Sequence, residues 1–129
     1  MQKMLFVINP TAGRSSLRDT LMSVVKIFSD ADYLVTLYIT KYSGDGQAQV
    51  AAWAHQYDVV VCAGGDGTLN EVVNGILLNG ADVPLGYIPV GTTNDFATSH
   101  QLSRIPRQAA QHIVDGQPFA HDIGEFNGV

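Results

Sequence analysis

Residues 58–80 read DVVVCAGGDGTLNEVVNGILLNG, and the fold follows from where that run changes character. It opens with DVVVCA, a block of β-branched and small apolar side chains of the kind found in strands buried on both faces of a sheet. Leu69, Val72, Val73, Ile76 and Leu77 then recur at helical spacing, and Gly80 supplies a stop. Between the two periods lies Gly64-Gly65-Asp66-Gly67-Thr68. A short apolar strand passing through a glycine-rich turn into an amphipathic helix is the opening of a βαβ unit.

The same alternation extends in both directions. Upstream, MLFVI at residues 4–8 is a second continuous apolar run, ended by Asn9-Pro10. Leu17, Leu21, Val24, Val25 and Phe28 then fall on one helical face, with Ser15 or Ser16 available as cap. Residues 33–40 predict a loosely alternating strand, and the alanine-rich residues 43–56 a helix. Downstream, residues 84–90 predict a strand in which Pro89 fits a central position poorly. Residues 92–97 read as a short helical turn, 107–114 as a helix entered through Pro106 and stopped by Gly116, and 119–123 as a weaker fifth strand. Strand and helix alternating in this way predict an α/β fold: a three-layer α/β/α, Rossmann-like arrangement around a mainly parallel sheet with right-handed crossovers.

Composition narrows the functional classes. The 129 residues suffice for one domain, with 46% apolar and 15% charged residues, a globular balance. The formal net charge of −5, with seven Lys and Arg spread along the chain, offers no basic face for nucleic acid and little attraction to anionic lipid. The single cysteine, Cys62, excludes an internal disulfide and suits a reducing compartment; its place in an apolar run predicts a buried, inert thiol. No apolar run is long enough to span a bilayer, and the N-terminus is too short in apolar residues for a signal peptide, so a cytoplasmic location is expected.

Ligands of open α/β sheets collect at the carboxyl ends of the strands, and three loops fall there. Gly64-Gly65-Asp66-Gly67-Thr68 lets backbone amides approach phosphate oxygens at a helix N-terminus; as a bare turn it carries more glycine than it needs. Asn9-Pro10-Thr11-Ala12-Gly13-Arg14 also joins strand to helix, with Thr11 and the Gly13 amide as phosphate donors and Arg14 as a counter-charge, or else as a plain Asn-Pro turn. Gly91-Thr92-Thr93-Asn94-Asp95-Phe96 offers two hydroxyls, an amide and a carboxylate, or a capped helix start. A carboxylate at Asp66 would repel phosphate unless a cation bridged them. Asp66, Asp95 and Asp122 at neighbouring strand ends predict a Mg²⁺–water network, against the simpler reading of a cap and a solvated side chain. The patterns GxxxxGK[ST] and GxGxxG are both absent.

GGDGTLNEVVNG at residues 64–75 resembles the signature of the diacylglycerol kinase catalytic domain, in a superfamily with sphingosine and ceramide kinases and NAD kinases. NPTAGR at 9–14 and GYIPVGTTNDFA at 86–97 resemble the lipid-kinase branch in order and spacing, so the likeness covers the whole chain. It implies ATP-dependent phosphorylation of a lipid hydroxyl, with diacylglycerol giving phosphatidic acid. The implied ATP site comprises Asn9, Pro10, Thr11, Ala12, Gly13, Thr40, Gly64, Gly65, Asp66, Gly67, Thr68, Leu69, Asn70, Glu71 and Thr92, and the implied Mg²⁺-linked acids are Asp66, Asp95 and Asp122. Trp53 and His55 match no motif and are expected to pack helices.

The family continues into a β-rich second domain after an Asp-Ile-Gly and Asn-Gly stretch, here Asp122-Ile123-Gly124 and Asn127-Gly128. In the family that domain supplies the catalytic base and much of the lipid site, so the resemblance implies a general base beyond Val129 and none within residues 1–129. Residues 1–129 are therefore expected to be the nucleotide-binding domain without its partner domain, binding ATP or ADP but transferring little phosphate alone, with its lipid met at a membrane surface. Apolar surface bared at the chain's end would favour a homo-oligomer. Two alternatives stay open: an NAD kinase-like enzyme, disfavoured by GTTNDFA, and a non-catalytic nucleotide-binding module.

Overall fold

The computed structural model describes residues 1–10, 16–90, 103 and 105–116. Strand β1 spans Gln2–Ile8, β2 Tyr33–Ile39, β3 Val59–Gly64 and β4 Leu85–Pro89. Helix α1 spans Ser16–Asp30, α2 Asp45–Trp53 with a 3-10 turn at Ala54–Gln56, α3 Asp66–Asn79 and α4 Pro106–Val114. The four strands form one parallel sheet in the order β2-β1-β3-β4. The architecture is the α/β one expected. The fifth strand at 119–123 and the turn at 92–97 fall outside the described residues.

Alternation along the central strands divides the core. Met4, Phe6 and Ile8 of β1 and Val59, Val61 and Ala63 of β3 join Leu17, Val24 and Phe28 of α1 and Ala109, Ala110 and Ile113 of α4. Leu5, Val7, Val60 and Cys62 turn the other way, toward Val50 of α2 and Leu69, Val72, Val73 and Ile76 of α3. Both faces of β1 and β3 are therefore covered, which explains why their sequences are apolar runs rather than alternating ones. Phe6 and Phe28 meet edge to face, with ring centroids 5.6 Å apart. Strand β2 lies at the border of the sheet, and its looser alternation leaves Leu34, Leu37 and Ile39 exposed.

Pro89 is accommodated at the last position of β4. The next amide, Val90 N–H, donates to Gly64 O at 3.0 Å, so position 89 points its nitrogen away from β3 and the β3–β4 ladder loses no donor. Gly80 closes α3 in the left-handed region at φ 80°, its amide donating to Ile76 O. Trp53 packs edge to face on Tyr38, and His55 Nδ1 lies 2.9 Å from Asn79 Nδ2, so both residues sit in helix packing contacts.

Chain order and sheet order diverge at one point. After β1 the chain moves outward to β2, then returns to the other side of β1 to build β3 and β4. The loops after β1 and β3 consequently leave toward opposite faces, and a crevice opens between their carboxyl ends.

Close packing on the α2/α3 face depends on Gly75. A Cβ placed there would lie 2.8 Å from Val50 Cβ and 2.9 Å from the backbone oxygen of Gln47. Helix propensity alone favours alanine over glycine by about 1 kcal/mol. Overpacking against a backbone atom costs more, so Gly75→Ala is expected to destabilise the fold by roughly 1–2 kcal/mol. Urea unfolding should show a lower midpoint with an unchanged slope.

Candidate functional site

The crevice at the strand ends is a cavity of about 320 Å³ lined by Asn9, Pro10, Thr40, Lys41, Tyr42, Ser43, Gly67, Thr68 and Glu71. Three loops build it. The backbone of the first two is stitched to the sheet: Asn9 N–H donates to Ala63 O at 3.1 Å, and Thr40 N–H to Ile8 O at 2.9 Å. The third is the first turn of α3.

Gly64 ends β3 and is buried. Its carbonyl accepts from Tyr87 Oη at 3.0 Å as well as from Val90 N–H. A Cβ on Gly64 would meet Thr68 Oγ1 at 2.6 Å, so this glycine lets α3 start directly above the strand. Gly65 is the N-cap residue in extended backbone, with no side-chain cap, and Leu69 N–H donates back to Gly65 O at 3.1 Å. Thr68, only 6% exposed, does not cap the helix; its Oγ1 accepts from Asn9 Nδ2 at 3.1 Å and ties the β1 loop to α3.

Gly65 and Gly67 differ from Gly64. Among the described residues, a Cβ on either would meet no protein atom within 4 Å. Packing against those residues does not require glycine there, yet Gly67 lines the cavity, so the missing side chain keeps open the space over a helix N-terminus. First-turn amides have no partner further along their helix, and the helix dipole adds partial positive charge. The open cradle and its donors fit a polyanion such as the phosphates of a nucleotide.

Other expected residues are placed differently. Leu69 turns its side chain into the core between α3 and the sheet, leaving only its backbone at the turn. Asn70 is exposed and Glu71 reaches the cavity, while neither Asn70 nor Leu69 lines it. Asp66 is exposed at the start of α3. Among the described residues no group of three or more His, Cys, Asp or Glu side chains could hold a metal ion. Thr11, Ala12, Gly13, Arg14, Thr92, Asp95 and Asp122 lie outside the described residues, so Asp66 is the one member of the expected acidic trio whose position is seen. Val129, beyond which the general base is expected, lies outside them as well. Burial pushes the Cys62 thiol up, as an inert core thiol requires.

Lys41, Tyr42, Ser43 and Asp45 were not anticipated from the sequence. The available signal was a second Gly-Asp-Gly, residues 44–46, just beyond a strand. Asp45 is 1% exposed; its Oδ2 accepts from Tyr38 Oη at 2.7 Å and from Lys41 N–H at 2.8 Å, and its Oδ1 from Gln49 Nε2 at 3.4 Å. Burial alone would raise the Asp45 carboxyl, but these donors outweigh it and hold the group below its usual range. The same hydrogen bond, with burial and the Asp45 charge, pushes Tyr38 up to about 12.

The two shifts act at opposite ends of the pH scale. A lowered carboxyl stabilises the fold above its unfolded value, near 3.8, and loses that contribution as pH falls through the lower folded value. A raised phenol stabilises the fold below its unfolded value of 10.0 and loses the contribution as pH rises through about 12. Tyrosinate absorbance followed with rising pH should show an ionisation step near pH 12 that Tyr38→Phe removes.

Comparison with known proteins agrees with this geometry. The model of the diacylglycerol kinase catalytic domain matches residues 3–126. A diacylglycerol kinase of Bacillus subtilis (strain 168) is 39% identical over 99% of this chain and 43% of its own length. One from Staphylococcus saprophyticus is 38% identical over 94% of this chain and 40% of its own. The crystal structure of a diacylglycerol kinase from Bacillus anthracis str. Sterne superposes with a TM-score of 0.80 at 30% identity, over 90% of this chain and 43% of that one. The chain thus spans about two fifths of the length of these relatives. With its sheet, its glycine cradle and nearly all its residues matched, the chain belongs to the diacylglycerol kinase catalytic domain family.

Proposed function

We propose that the cavity holds the phosphates of ATP and that the chain is the nucleotide-binding part of a lipid kinase, which transfers the γ-phosphate to the hydroxyl of diacylglycerol to give phosphatidic acid. The observation that carries this reading is the cradle at Gly67: a helix start at the sheet's switch point, open to a cavity and kept free of a Cβ that the described residues would tolerate. Family membership selects the lipid-kinase chemistry among nucleotide-binding functions and weighs against an NAD kinase. The names of the relatives point to diacylglycerol as acceptor.

In this reading the amides of the first turn of α3 bind and orient the phosphates, Thr68 holds Asn9 in register across the cradle, and residues 40–43 close the opposite wall. Asp66, Asp95 and Asp122 are the residues that would hold a Mg²⁺–water network, which would offset the phosphate charge, and ATP in the cradle would supply the phosphoryl group. The base that takes the proton of the lipid hydroxyl is assigned to chain beyond Val129. Phosphoryl transfer is largely a matter of positioning and charge stabilisation, so a chain spanning two fifths of its relatives binds nucleotide without aligning the lipid hydroxyl. The lipid is met at a membrane surface. Among the described residues no helix is long and apolar enough to cross a membrane, and the proposed location is the cytoplasm with peripheral membrane contact.

Titration calorimetry with ADP and Mg²⁺ tests the reading. The 129-residue chain is expected to bind, and Gly67→Ala to weaken binding about tenfold while leaving the unfolding midpoint unchanged or raised, since its Cβ meets no described protein atom. Equal affinity for the two proteins would place the phosphates elsewhere. In parallel, the chain offered ATP and diacylglycerol should release little ADP, whereas a longer protein containing it should turn over.

A further inference from the structure

The wall of the cavity facing α3 is an exposed strap. Residues 41–44 are all exposed, and Lys41, Tyr42 and Ser43 line the cavity. Exposed loops of this kind contribute little packing of their own, and their shape depends on what anchors them. Here the anchor is a buried carboxylate.

Asp45 opens α2, where an acidic residue is favoured by the helix dipole. Its hydrogen bonds show a different use. The two short ones, from Tyr38 Oη at 2.7 Å and Lys41 N–H at 2.8 Å, come from residues that precede the helix. The longest, from Gln49 at 3.4 Å, comes from α2 itself. The carboxylate therefore clamps the end of β2 and the strap onto the start of α2. Gly44 makes the sharp entry possible in the left-handed region at φ 93°.

Gly46 extends the clamp to the other cavity wall. A Cβ there would lie 3.2 Å from Glu71 Oε1 and 3.5 Å from Thr40 Cγ2, both on residues that line the cavity. The start of α2 is thus wedged behind the cavity, touching the strap through Asp45 and α3 through Gly46. Behind it, the Tyr38 ring is locked edge to face on Trp53, with centroids 5.4 Å apart.

We propose that Asp45 is a positioning residue for the nucleotide: its carboxylate holds residues 40–43 in the shape that closes the cavity opposite α3, so that affinity for nucleotide depends on a side chain that does not line the site. This rests on the reading of the cavity as the nucleotide site. Asp45→Asn is close to isosteric; both short bonds fall on one oxygen, Oδ2, which an amide carbonyl can replace, so the variant removes the charge that strengthens them and sets an NH₂ against Gln49 Nε2. Tyr38→Phe removes one donor and keeps the ring on Trp53. Val24→Ala loosens the opposite face of the sheet, between α1 and β1, and touches nothing in the strap.

The test is calorimetric titration of the 129-residue chain and these three variants with ADP and Mg²⁺, at a temperature where circular dichroism shows each still folded, alongside urea unfolding. Asp45→Asn is expected to weaken binding about tenfold and Tyr38→Phe about threefold. Val24→Ala should bind as the parent does although its unfolding midpoint falls, because loss of stability alone does not change the affinity of the folded state. If Asp45→Asn and Tyr38→Phe both bind within twofold of the parent, or if Val24→Ala weakens binding as much as they do, the positioning role is wrong and Asp45 serves stability only. Should Asp45→Asn fail to fold, Tyr38→Phe carries the decision. A parent chain that binds neither ADP nor ATP overturns the nucleotide reading itself, an outcome distinct from equal binding by parent and variants.

Discussion

Backbone polar groups cannot be left unpaired in a core, and β1 and β3 are buried on both faces. Their amides and carbonyls are satisfied along the ladder, but the chain must leave the sheet at the strand ends, where partners have to be found again. At Gly64 the solution is local: its carbonyl takes Tyr87 Oη and Val90 N–H together. At the start of α3 the amides have no helical partner, and the turn that carries them faces a cavity instead of protein. The cradle is thus a consequence of ending a doubly covered parallel strand beneath a helix. The reversal of strand order beside β1 is what leaves a crevice beside it.

Glycine serves three different needs within that small volume. Gly64 is required by the protein, because Thr68 occupies the space of its Cβ. Gly75 is required by the approach of α2 to α3. No described residue packs where a Cβ of Gly65 or Gly67 would sit, so the space over the start of α3 stays open. Asn9 and Thr68, 59 residues apart in sequence, then tie the end of β1 to the first turn of α3.

The strap on the far side is held by a different device. A buried carboxylate is costly unless its lone pairs are satisfied, and Asp45 is satisfied by donors from the strand and loop before it. The wall of the cavity and the packing of β2 against α2 are therefore one hydrogen-bonded unit, with Tyr38 and Trp53 as its apolar backing.

Much of this was legible in the amino-acid order. Continuous apolar runs at 4–8 and 59–63 suit doubly covered strands, and helical periods such as Leu17, Val24 and Phe28 suit amphipathic helices, because periodicity is a local property. The glycine-rich turn after β3 was legible for the same reason. Two Gly-Asp-Gly triplets, at 44–46 and 65–67, show where local reading stops. Both follow a strand and both open a helix, yet Asp66 is exposed at the start of α3 while Asp45 is 1% exposed and tethered to Tyr38 and Lys41. Leu69 likewise sits inside the signature but points into the core. The order of residues determined the strands, the helices and the glycine-rich turn; only the tertiary structure decided which aspartate stays exposed and which is buried against Tyr38 and Lys41, because that depends on what the neighbouring strand brings alongside.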